Sequence, residues 1–188
     1  MAASDFSQAN FVVVDPVAGN PSPVSVTQST PMFDLGQTAF AADRNTRGTA
    51  FYCGAGQFVY VQGSNVASRG QFCHIVSNSA VLLASGNSAS FYPIGLACAA
   101  LSATNVYGWV QVAGLADYAT MTNADFAAGV RVAFGSTAGQ IGSVTALGSR
   151  IQGIILPVSY GNAAKTASAP NMTVQLNHPF AIGVTASN

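Results

Sequence analysis

Charge is nearly absent from this sequence. Only 6% of its 188 residues are charged, whereas about a quarter is typical of soluble domains. There is no glutamate, so all six acidic residues are aspartates, and six Lys and Arg residues balance them to a net charge of zero. Because phosphate binding needs clustered Lys or Arg, the composition predicts no nucleic-acid partner. The neutral polar surface favours a protein that belongs to an assembly.

Long apolar runs are missing as well. No stretch approaches the roughly 20 apolar residues that cross a membrane, so we expect no membrane association. The first residues, MAASDFSQAN, lack the basic start and the apolar run of a signal peptide. The three cysteines, Cys53, Cys73 and Cys98, are an odd number. Together with the missing export signal, they favour free thiols in a reducing cytoplasm.

The residue sets that catalysis and metal binding require are not recognisable. The aspartates lie in the N-terminal region or beside turns, where aspartate usually bonds to the backbone. Cys73 and His74 are neighbours on a predicted strand, so they face opposite sides and do not form a dyad. The cysteines lack the close pairs of a zinc site, and neither a G-x-S-x-G pattern nor a P-loop occurs. We expect no enzyme activity, no cofactor and no metal.

Residues 1–35 differ from the rest of the chain. Four of the eight prolines fall here, and proline disfavours helix at and before its own position, so we expect an extended arm. The arm carries apolar residues that a solvated linker would not need: Phe6, Phe11, Val12, Val13, Val14, Val24, Val26, Met32 and Phe33. Two interpretations stay open: the arm becomes ordered on a partner's surface, or it folds back over its own domain.

Two arginines, Arg44 and Arg47, lie where the arm meets the rest of the chain. Arginine binds carboxylates through two parallel hydrogen bonds, so we predict that this pair holds acidic groups of a partner. The alternative is a pair of solvated charges at a hinge. The nine apolar arm residues and these two arginines are the predicted partner-binding residues.

Residues 36–188 are predicted to form an all-β domain, a small β-barrel or a sandwich. The basis is a series of short segments rich in Val, Ile, Phe and Tyr, separated by Gly, Ser, Asn and Pro. They cover residues 57–62, 70–76, 80–84, 94–101, 107–114, 129–134, 139–144, 151–158 and 172–177. No sustained helical period is present. A weak echo between residues 65–112 and 123–176 suggests an internal duplication.

The only tryptophan, Trp109, begins an alternating run, Trp109–Val112. Alternation places Trp109 and Gln111 on one face of a strand and the two valines on the other. We predict that Trp109 is a structural plug at one end of the barrel, with its indole N–H bonded to a backbone carbonyl. An interface role and a ligand platform are the alternatives.

Four segments follow one another in a characteristic order. They are QFVYVQGSNVASRGQFCHIV, YGWVQVAG after the strand IGLACAAL, AAGVRVAFGSTAGQIGS, and VQLNHPFAIG at Val174–Gly183. Over residues 33–183 this order resembles the small structural proteins that decorate or cement the capsids of tailed bacteriophages. The resemblance does not extend to residues 1–32. It implies a β-barrel-like domain on the outside of the icosahedral shell that bridges major capsid subunits and has no enzymatic activity.

The resemblance and the composition lead to one expectation, a virion structural protein made in the host cytoplasm and carried on the capsid exterior. Its expected partner is the major capsid protein. We also expect a homo-oligomer, either a trimer or a dimer. Many equivalent sites on one lattice allow each contact to be weak. A tail, fibre or head–tail component and a carbohydrate-binding β module are the alternatives.

Overall fold

A computed structural model describes residues 27–42, 55–84, 92–120, 128–135, 137–143, 150–157, 159 and 171–182. These residues contain ten strands: β1 (Thr38–Ala42), β2 (Ala55–Gln62), β3 (Phe72–Val76), β4 (Ser79–Leu82), β5 (Ile94–Ala97), β6 (Tyr107–Thr120), β7 (Val132–Phe134), β8 (Ile141–Ser143), β9 (Arg150–Ile155) and β10 (Asn171–Ile182). The predicted all-β class is confirmed. Within these ranges there is no helix of the length and apolar character needed to cross a membrane.

Nine of the strands coincide with segments predicted from the sequence, and β1 is the exception. Its sequence, TAFAA, is rich in alanine, which is depleted in strands. β1 pairs antiparallel with β2 along its whole length, from Thr38↔Val59 to Ala42↔Ala55. Its extended form therefore comes from its partner strand rather than from its composition.

Hydrogen bonds close five of the strands into a ring. β2 pairs with β6 over seven positions. β6 pairs with β5, β5 with β3, and β3 with β4, all antiparallel. β4 returns to β2 through a single parallel pair, Gln62↔Ser79. Because side chains alternate along each strand, half of them point into the ring and half point away from it.

The inside of the ring holds small and medium-sized apolar side chains. One buried cluster takes a residue from each ring strand: Val61, Cys73, Ala80, Ala97 and Val110. A ring of only five strands leaves little interior space, because its diameter grows with strand number. A methyl group added at Gly95 of β5 would overlap Cγ1 of Val110. The ring can therefore close only because the residues inside it are small.

The bulky side chains of the ring point outward and are covered by the remaining strands. β10 pairs with β6 and β9, β9 with β7, and β7 with β8. Aromatic residues of the ring pack with Val, Ile, Leu and Met residues of this extension in a second, larger cluster. Since burial of apolar area is the main stabilising term in folding, the extension stabilises the ring from outside.

β10 contains a bulge opposite β9. The register with β9 shifts between Leu176 and Phe180, so three residues of β10 oppose Gly153 alone. Gly153 has a φ of +81°, and a Cβ there would lie 2.5 Å from the carbonyl oxygen of Asn177. Only glycine fits this position without strain. The bulge also places His178 at a φ of +45°, which is uncommon for a residue other than glycine.

Candidate functional site

The last residues of the predicted arm are docked on the chain's own domain. Gln28 and Tyr107 form a two-bond bridge, with N···O distances of 2.9 and 2.8 Å. The hydroxyl of Tyr60 donates to Oε1 of Gln28 at 2.5 Å and accepts from the N–H of Met32 at 3.2 Å. We call residues 27–35 the arm root. These bonds attach the arm root to β2 and β6.

Phe33 completes an aromatic cluster beneath the arm root. Its ring centroid lies 5.2 Å from Tyr60 and 5.2 Å from Trp109, and the last two are 5.0 Å apart. Edge-on and tilted pairs at these distances are favourable beyond their buried area. Burial raises the pKa of Tyr60, so its hydroxyl remains a hydrogen-bond donor to the arm root.

Trp109 is a core residue on which the arm root packs. It is 1% exposed and belongs to the outer cluster, not to the cluster inside the ring. Its indole therefore has no accessible face on which a ligand could stack. This argues against the interpretation of Trp109 as a ligand platform. The predicted bond from the indole N–H to a backbone carbonyl stays a prediction.

Only two of the predicted partner-binding residues fall within the described part of the chain. Met32 is 64% exposed, whereas Phe33 is half-buried against its own domain. The others lie outside the described residues: Phe6, Phe11, Val12, Val13, Val14, Val24, Val26, Arg44 and Arg47. The fold-back interpretation of the arm thus holds for the arm root. For the preceding residues, partner binding stays a prediction.

Exposed apolar side chains continue from the arm root onto the edge of the sheet. Met32, Leu35 and Phe40 are large apolar residues with exposed side chains. β1 stands at one end of the strand order, and among the described residues it pairs only with β2. Exposed apolar side chains are surfaces through which proteins associate. We call the arm root and β1 together the arm-root surface.

A buried amide network supports the middle of β6. Nε2 of Gln111 donates to the carbonyls of Ala113 and Leu115 at 3.3 and 3.2 Å. Its Oε1 accepts from the hydroxyl of Tyr118 at 2.8 Å, and that hydroxyl lies 3.4 Å from Sγ of Cys98. A buried amide is tolerated because its groups are bonded. The sequence signal for this network is Gln111, a glutamine inside an apolar alternating run. Its hydrogen-bond partners could not be predicted from the sequence.

The two described cysteines have thiols of low reactivity. Cys73 and Cys98 are free and buried. Burial raises the pKa of both thiols, that of Cys98 to about 12, although the hydrogen bond with Tyr118 opposes the shift at Cys98. Since the thiolate is the reactive form, these residues act as small apolar side chains. Cys53 lies outside the described residues.

His74 is buried in an apolar environment. Its ring centroid lies 6.3 Å from that of Tyr92 and 6.1 Å from that of Phe134. Both ring nitrogens are buried and have no hydrogen-bond partner within the described ranges. Burial lowers the pKa of His74, against a smaller opposing contribution from the backbone of Tyr92. The imidazole is therefore neutral at neutral pH.

A cavity of about 240 Å³ opens at one end of the ring. Val59, Ile75 and Val112 form part of its wall, and Pro93 and His178 contribute from neighbouring segments. It is smaller than the roughly 300 Å³ at which drug-sized ligand pockets begin. This cavity is not recognisable from the sequence, because its wall combines residues from distant strands.

Of the described residues, no three His, Cys or Asp side chains cluster in an arrangement that would hold a metal ion. No family model matches the chain, and neither a curated protein nor a solved structure matches it.

Proposed function

We propose that this chain is a capsid decoration or cement protein of a tailed bacteriophage. In this proposal it binds the outside of the icosahedral shell and bridges subunits of the major capsid protein. The observation that carries the proposal is the docked arm root. Because Gln28 and Phe33 are held to the domain, the residues before them start from a fixed point beside the exposed Met32 and Leu35.

The arm residues before that point have the composition of a binding segment. They combine prolines, which limit the conformations of the free chain, with apolar anchors such as Phe6, Phe11 and Val24. Ordering an extended segment on a partner costs conformational entropy, and apolar burial must exceed that cost. A docked root lowers the cost, because the arm is already held close to its site.

The domain itself suits a lattice partner. The chain carries few charges, so association depends on apolar contacts at the arm-root surface and on hydrogen bonds. Arg44 and Arg47 would add bidentate bonds to carboxylates of the partner. The proposal includes no catalytic step, no cofactor, no metal, no nucleic acid and no membrane.

Co-sedimentation with capsids built only from the major capsid protein of the same virus tests the proposal. We would compare the full chain with a version that lacks residues 1–26, because that version keeps Gln28 and Phe33 and hence the docked root. A matched variant, Phe6→Ser with Phe11→Ser, keeps the length of the arm. We expect the full chain to bind in fixed stoichiometry and both altered versions to bind at least about tenfold more weakly.

Equal binding of all versions would assign the contact to the domain and remove the arm from the proposal. If no version binds, the decoration function is wrong. An elongated homotrimer that assembles without capsids would then favour a tail or fibre component. Analytical ultracentrifugation of the free protein also tests the expected trimer or dimer. Since Trp109 is buried, it does not support a glycan-binding function.

A further inference from the structure

A cleft opens where β9 separates from the segment before β7, and it shares no lining residue with the arm-root surface. The ladder between these two strands ends at the pair Val132↔Ile151. Beyond that pair the two segments diverge, and they meet again where the N–H of Gly129 donates to the carbonyl of Leu156 at 3.0 Å. The space between them, along residues 152–155, has a volume of about 380 Å³.

Two arginines line this cleft, in a chain that has only six Lys and Arg residues. Arg131 is exposed and Arg150 is half-buried. Nε of Arg150 is buried and has no hydrogen-bond acceptor in the part of the chain that the structure describes. The described lining residues include no acidic side chain. A buried donor without an acceptor is unfavourable, so an acceptor in the cleft towards which the Arg150 side chain could turn would be stabilising.

The chemistry of the guanidinium group restricts that acceptor. Its planar fork matches the two oxygens of a carboxylate or a phosphate. Recognition of a nucleic-acid backbone is disfavoured because the chain has a net charge of zero and only six Lys and Arg residues. The cleft also offers strand backbone that β7 does not pair, and the exposed side chain of Ile155. These features suit an extended polypeptide that carries an acidic side chain.

We propose that the cleft between Arg131 and Arg150 binds a carboxylate group presented by an acidic segment of a partner protein. The carboxylate oxygens accept hydrogen bonds from the guanidinium groups of Arg131 and Arg150 once the Arg150 side chain turns into the cleft, and the peptide backbone lies along β9. This site is separate from the arm-root surface, and its chemistry does not depend on the partner being a capsid protein.

Nuclear magnetic resonance of the full, ¹⁵N-labelled chain tests this site. The probe is a blocked pentapeptide with two glutamates, and its control is the same peptide with glutamines. We expect the acidic peptide to shift the Nε–H signal of Arg150 progressively, with a dissociation constant of about 1 mM. The glutamine peptide should leave the signal in place. Inorganic phosphate, titrated in parallel, separates a carboxylate site from a phosphate site.

Three variants complete the test. In R150Q and in R131Q the backbone amides of Gly129 and Gly153 report binding, and we expect affinity to fall about tenfold. R69Q removes an arginine outside the cleft and should bind as the parent chain does; thermal unfolding checks that each variant is folded. The proposal is overturned by an unmoved Arg150 signal, by equal shifts with the glutamine peptide, by tighter binding of phosphate, or by unchanged affinity in both cleft variants. Because no capsid is used, this result is independent of the capsid-binding test.

Discussion

At the scale of single residues, His74 is a group whose ionisation opposes folding as the pH falls. Its buried imidazole has no hydrogen-bond partner in the described ranges, and burial lowers its pKa below the ordinary 6.5. The unfolded chain therefore binds the proton more readily. Stability is complete above about pH 6.5 and falls as the pH drops from there towards the folded-state pKa, by up to about 1.4 kcal/mol per pH unit. Urea unfolding between about pH 7.5 and 5.5 measures this slope.

Two variants assign the slope to one histidine. In His74→Leu the pH-dependent loss in this window should shrink, because the buried titrating group is gone. His178→Gln removes the only other histidine and should keep the slope. A slope that survives in His74→Leu and disappears in His178→Gln would show that the assignment is wrong.

Tyr118 is the second residue whose contribution to stability can be measured. It donates to the buried Oε1 of Gln111, and Tyr118→Phe would remove that donor from a buried acceptor. We expect the free energy of unfolding to fall by roughly 1–3 kcal/mol. Tyr92→Phe is the matched control, because Tyr92 is 44% exposed, and its change should stay within about 0.5 kcal/mol. Equal stability of the two variants would contradict a structural role for the network.

At the scale of elements, the packing of the arm root on the domain can be measured with one fluorescent probe. Trp109 is the only tryptophan of the chain, and Phe33 packs against it. Phe33→Ala should uncover the indole, shift its fluorescence emission to longer wavelength and increase quenching by acrylamide. We expect a loss of stability of about 1–3 kcal/mol, because Phe33 is only half-buried.

Met32→Ala is the control for this experiment. Met32 belongs to the same arm root but is 64% exposed, so its side chain contributes little to the cover of Trp109. Its fluorescence and quenching should match those of the parent chain. If Phe33→Ala also matches the parent, the arm root does not depend on the aromatic cluster for its attachment.

Element boundaries show where local sequence stops being informative. The alternating run predicted a strand over residues 107–114, whereas β6 continues to Thr120. Its second half pairs with β10, from Ala113↔Asn177 to Thr120↔Asn171. Likewise, β1 is a strand because β2 lies beside it. In both cases a distant partner, rather than local propensity, determines the length of the strand.

At the scale of the whole molecule, the low charge predicts little dependence on salt. Only 6% of residues are charged, and surface ion pairs contribute about 0–1 kcal/mol each. Raising NaCl from about 0.05 to 0.5 M at about pH 7.5 should change the free energy of unfolding by less than about 1 kcal/mol. Urea titrations at the two concentrations measure this. A larger change would reveal a stabilising charge network that the composition does not predict.

The sequence by itself determined the class of the fold and the identity of most strands. Inward and outward alternation is a local property with a period of two residues, so runs such as Trp109–Val112 report it directly. Composition likewise indicated the all-β class and the free thiols of Cys73 and Cys98. Each of these features depends on a residue and its immediate neighbours.

Only the tertiary structure decided how the strands close and what lies on their surface. The pair Gln62↔Ser79 closes the ring, Phe33 packs on Trp109, and the cleft brings Arg131 and Arg150 together. Each of these joins residues that are distant along the chain. Such contacts follow from which apolar faces bury one another, and local alternation does not contain that information, because one pattern is compatible with many pairings.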